Sequence, residues 1–120
     1  MITGLAFREV DSDVDPSRPL IYLWEIRDSA GQLITCYVGK SSGGAARPRK
    51  TYANNIRRLR AGLGWHGGSM DGYRAIHWAM SDAMDKGHEV TLRLICNVSS
   101  DEDINVVERR ERARLGCPGR

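Results

Sequence analysis

Apolar positions along the chain fall into strand-like and helix-like runs, separated by glycine, proline and small polar residues. Residues 1–10 read as a short strand ending in the acidic loop 11–15, before Pro16 and Pro19. Residues 20–27 (LIYLWEIR) are apolar, aromatic and branched, as in a buried strand. Asp28-Ser29-Ala30-Gly31 is a turn signal. Residues 32–38 (QLITCYV) are a second strand, so the pair predicts a hairpin. With Ser29 and Ala30 as the central turn residues, Tyr22 stands directly opposite Tyr37 on one sheet face. Residues 39–46 are a glycine-rich loop, and 49–60 predict a helix with Tyr52, Ile56 and Leu59 at apolar spacing.

A second glycine-rich loop, 61–71, precedes a helix from about 72 to 85, with Tyr73, Ile76, His77, Met80 and Met84 inward and Gly87 at its end. Residues 89–98 (EVTLRLICNV) predict a strand. Ser99 with Glu102 reads as a capping box that starts a last helix at about residue 100, ended by Gly116. The order is strand, strand, helix, helix, strand, helix. That predicts a small α/β (α+β) domain: a mixed or antiparallel sheet with an N-terminal hairpin, flanked by helices.

The 120 residues fit one domain, with a core at about 18–116 and residues 1–17 as an extension. No stretch approaches the roughly 18 apolar residues of a membrane span, and the N-terminus has no secretory pattern, so the expected location is the cytoplasm. Cys36, Cys96 and Cys117 are an odd, widely spaced set. They suggest neither a disulfide framework nor a zinc site, and Cys36 and Cys96 read as core thiols.

Charge changes the picture more than composition does. The balance is +3, from 18 basic and 15 acidic residues. Its placement is uneven: no Asp or Glu occurs between Asp28 and Asp71, while Lys40, Arg47, Arg49, Lys50, Arg57, Arg58 and Arg60 lie in that gap. A basic run without counter-charge suits a polyanion, because each neutralised phosphate releases counterions. A solvated helix face is the plainer alternative.

The hairpin sharpens this. Leu20-Ile21-Tyr22 and Tyr37-Val38-Gly39, followed by Lys40 and Arg47, resemble the two tripeptides and basic residues of the GIY-YIG nuclease family, its phage- and bacteria-associated members in particular. Leucine replaces the usual first glycine, and Glu108, on the last helix, falls where the family carries its metal-binding glutamate. Arg112 stands where an apolar residue is usual, which leaves Glu111 as the alternative ligand. The family's asparagine beyond the last helix is absent, so either the sequence is cut short after residue 120 or that orienting group is missing.

The resemblance implies a metal-dependent endonuclease hydrolysing phosphodiesters of double-stranded DNA, acting singly or as a homodimer on DNA in a bacterial or phage-infected cell. Tyr37 is implied as general base or water activator with Lys40 as its nearby cation, and Tyr22 as the group orienting it. Arg47 is implied to offset charge on the reacting phosphorus. Glu108 is implied to hold Mg²⁺ or Mn²⁺. Arg49, Lys50, Arg57, Arg58 and Arg60 would contact the backbone. His77 tempts as a further site group, although a packed histidine is commoner there. Trp65 and His66 sit in a loop that could flank DNA, with Trp65 able to stack. Two alternatives stay open: a catalytically inactive nucleic-acid-binding module, and a structural or interaction protein.

Overall fold

The computed structural model describes residues 5–118; the positions before and after them lie outside the description. The elements are β1 (Arg8–Val10), β2 (Leu20–Arg27), β3 (Leu33–Ser41), α1 (Tyr52–Arg60), α2 (Ala75–Lys86), β4 (Glu89–Asn97) and α3 (Ile104–Leu115). The strands form one sheet in the order β1-β4-β2-β3. β1 runs parallel to β4, and the other pairs are antiparallel. The result is a small mixed α/β domain. β2 lies inside the sheet and is buried on both faces, which explains its nearly continuous apolar run.

Strand alternation divides the core in two. Tyr22, Trp24, Ile26 and Tyr37 face α1 and α2, where they pack with Tyr52, Ile56, Ile76, Met80 and Ala83. Ile21, Leu23, Cys36 and Val38 face the other way and pack with Val107 of α3 and Cys117. No helix among the described residues is long and apolar enough to cross a membrane.

Four departures from the sequence expectation shape the fold around the site. First, Tyr22 stands opposite Gly39, and Tyr37 opposite Trp24. The turn is wider than two residues: the Asp28 carboxylate accepts the Ala30 and Gln32 N–H groups, each at 3.0 Å. The pairing also slips by one residue between Ile26 and Arg27. The net offset is even, so both tyrosines keep the same face.

Second, the first helix opens as a wide π-type turn over Arg47–Thr51, with Pro48 buried in it, before regular winding begins. Such turns recur at functional sites. Third, the Ser99–Glu102 box forms, with Ser99 N–H donating to Glu102 Oε1 at 3.0 Å, but it only closes a turn. Asp103 caps α3 instead, accepting the Asn105 N–H at 2.8 Å.

Fourth, Cys36 is not a free core thiol. It is disulfide-bonded to Cys117, 81 residues away, and ties the end of α3 to β3. Spacing in the sequence cannot show a pair that only the sheet and α3 bring together. Cys96 is free and half-buried.

Candidate nucleic-acid interface

At the C-terminal end of β3 the chain turns through a loop of small residues into the wide first helical turn. Gly44 has φ +85° and lies against the Pro16 carbonyl, where a side chain would collide. Ala45 N–H donates to that same carbonyl at 2.9 Å, which fixes the loop. The loop and turn border an open cleft of about 550 Å³ lined by Lys40, Ser41, Ser42, Gly43, Ala46, Arg47, Lys50, Thr51 and Ile104. Among the described residues three cations line it, and no carboxylate does. Short side chains at Ser42, Gly43 and Ala46 let a bulky backbone approach the wall.

Behind the cleft lies a small cavity of about 10 Å³, lined by Arg47, Thr51, Tyr52, Asn55, Trp65, Arg74 and His77. It holds at most about one water. Near it three tyrosine hydroxyls find partners, while the buried Trp24 indole N–H has none among the described residues. The Tyr22 and Tyr52 hydroxyls are 2.8 Å apart, and Arg74 Nη1–H donates to the Tyr37 hydroxyl at 2.9 Å. Burial pushes both the Tyr22 and Tyr52 phenols up, so they stay neutral hydroxyls. Gly39 is what lets Tyr22 lie flat across β3: a Cβ there would overlap Tyr22 Cζ, Oη and Cε1.

Lys40 is not the cation beside Tyr37. Successive residues of a strand point to opposite faces, so Lys40 leaves Tyr37's face and meets Asn105 Oδ1 at the start of α3. Arg74, from the residue preceding α2, takes that place. The basic residues of the first helix divide likewise. Arg49 donates to both carboxylate oxygens of Glu9, each at 2.8 Å. Arg60 binds the Ser81 carbonyl and Asp85, clamping α1 to α2. Arg57 donates to Asn54 at 2.6 Å, and Arg58 is half-buried. Lys50 reaches the cleft with Lys40 and Arg47.

His77 is buried among aromatic rings, 5.4 Å from Tyr52 and 5.3 Å from Trp65. Its Nδ1 accepts the Arg74 backbone N–H at 3.1 Å, which helps cap α2. Burial first, then the Arg74 and Arg47 charges, lower its pKa to about 4. The unfolded chain, with a histidine pKa of roughly 6.5, therefore takes up the proton first as pH falls. The sign is fixed: stability present above about pH 6.5 is lost as pH falls toward 4. Urea titrations across pH 7 to 4.5 should show that loss in the parent protein and a flatter profile in His77→Phe; an equally steep profile in the variant would contradict it.

The metal-dependent endonuclease expected from the resemblance is overturned. Among the described residues no group of three or more His, Cys, Asp or Glu side chains is placed to hold a metal ion. Glu108 is buried and its Oε1 accepts Arg112 Nη2–H at 2.9 Å. Glu111 is buried too, with Arg114 donating at 2.8 Å and holding its carboxyl below the usual range. Both carboxylates are thus taken by guanidinium groups of their own helix. That helix packs on the sheet face opposite Tyr22 and Tyr37. The hydrolase role and the Mg²⁺ or Mn²⁺ cofactor fall with it.

Sequence reasoning missed Arg74, the Tyr52 hydroxyl and Asn105. Arg74 lies outside the basic run and inside the stretch read as helix from about residue 72, so no local signal marked it. No family model, curated protein or solved structure matches the chain.

Proposed function

We propose that this chain is a nucleic-acid-binding module that seats the backbone of double-stranded DNA in the cleft at the end of β3, without metal-dependent cleavage. The observation that carries this is the carboxylate-free lining that holds Lys40, Arg47 and Lys50 together. Lysine supplies a compact point charge and arginine a two-pronged donor, and both suit phosphate oxygens. The hairpin with Tyr22 and Tyr37 on one face, followed by Lys40 and Arg47, supports a GIY-YIG-like scaffold as the frame for this surface.

Binding of fluorescent duplex DNA to the Arg47→Ala/Lys50→Ala double variant tests the proposal. The log–log dependence on salt should become shallower by about two, one for each phosphate no longer neutralised. An unchanged slope would place the DNA elsewhere.

A further inference from the structure

A second hollow lies between the outer side of β3 and α2, with a volume of about 250 Å³. Its walls include Ile34, Thr35, Tyr37, Arg74, Ile76 and Ala79, with no carboxylate among the described residues that line it. Among the described residues β3 is the last strand of the sheet, so alternate N–H and C=O groups on its outer side have no strand partner there. The volume is below the roughly 300–1,000 Å³ of sites that enclose a whole small molecule. It suits one part of a larger ligand.

The hollow and the cleft share no lining residue, but the small cavity shares residues with each. Arg47 and Thr51 border both the cleft and the small cavity, and Arg74 borders both the small cavity and the hollow. Lys40, Lys50 and Arg47 border the cleft, Arg47 and Arg74 the small cavity, and Arg74 the apolar hollow, so a cation borders each of the three spaces. Arg74 has no carboxylate partner among the described residues; its guanidinium bonds only to the Tyr37 hydroxyl there. A ligand matching these spaces is anionic along its length and carries a flat apolar ring with polar edges. A nucleotide with its base turned out of the stack has those features. Apolar walls and a guanidinium plane suit a base's faces, and free strand-edge groups suit its hydrogen-bonding rim.

We propose that this hollow receives one unstacked base of a DNA whose backbone lies in the cleft, so that the protein prefers duplexes containing an unpaired base. The proposal rests on the cleft being a nucleic-acid site. A paired base must leave its stack before it can enter, whereas an unpaired one is already partly free.

Fluorescence anisotropy with two labelled duplexes, one fully paired and one differing by a single bulged base, provides the test at low salt. The parent protein should bind the bulged duplex about tenfold tighter or more. Ala79→Trp, at a half-buried position of α2, fills the hollow and should erase that preference while leaving affinity for the paired duplex unchanged. Thr35→Tyr narrows it from the strand side and should act the same way, with thermal melts confirming that each variant is folded. Equal affinity of the parent protein for both duplexes would overturn the proposal and leave the cleft reading standing, as would a preference that survives in both folded variants. An extended Thr-Val peptide shifting the Thr35 and Tyr37 amides, with no base preference in DNA binding, would overturn it in favour of strand addition at β3. Failure to bind either duplex would overturn the cleft reading as well.

Discussion

Gly39→Ala should melt roughly 10–25 °C below the parent protein, the fall expected for a loss of about 2–6 kcal/mol. The added methyl enters the space held by the Tyr22 ring and hydroxyl. Tyr22 is 1% exposed and has no room to retreat. Overpacking in such a site costs about 1–3 kcal/mol. Moving the ring also breaks the 2.8 Å hydrogen bond with Tyr52, and an unmade buried hydrogen bond costs about 1–3 kcal/mol more. Differential scanning calorimetry reads the shift directly. A mutant cycle with Tyr22→Leu locates it: the glycine substitution should cost far less once the ring is gone. A melting point within about 2 °C of the parent's would mean that Tyr22 does not cross Gly39.

Breaking the Cys36–Cys117 link should have an effect of similar size. The two residues are 81 apart, and closing a loop of that length restricts the unfolded chain by about 4.5 kcal/mol in the entropic account. A native disulfide commonly contributes about 2–5 kcal/mol. Cys36→Ala/Cys117→Ala, or the parent protein under strong thiol reductant, should lose about that much in urea unfolding. The reductant should do nothing further to the double variant. Parent curves that superimpose with and without reductant would show that the link contributes nothing to stability.

The parts of this fold that follow local rules were legible in the sequence. β2 announced itself by its branched and aromatic run, and Gly87 and Gly116 marked helix ends with φ of +69° and +70°. The register of the hairpin was not legible, because Asp28 uses its side chain to widen the turn. The start of α3 was misplaced by four residues because two capping patterns, at Ser99 and Asp103, lie in tandem, and only packing of Val107 under the sheet selects the second.

The candidate site was half visible. The carboxylate-free stretch pointed to Lys40, Arg47 and Lys50, which do share the cleft. The same stretch did not show that Arg49 and Arg60 serve as ties, since their partners Glu9, Ser81 and Asp85 lie outside it. Arg74 entered from a distant segment because the sheet brings Tyr37 beneath the start of α2. Tertiary contacts decide which arginines stay free, and a linear charge pattern carries no record of them. A resemblance in the hairpin likewise said nothing about how the arginines of α3 would occupy its two buried glutamates.

The central claim is that DNA backbone lies in the cleft at the end of β3. Backbone amide shifts followed by NMR during titration with a short duplex test it most directly. The largest changes should fall on Lys40–Thr51 and near Arg74, while the outer face of α3 around Arg109 and Arg110 stays still. Changes concentrated on α3, with residues 40–51 unmoved, would contradict it.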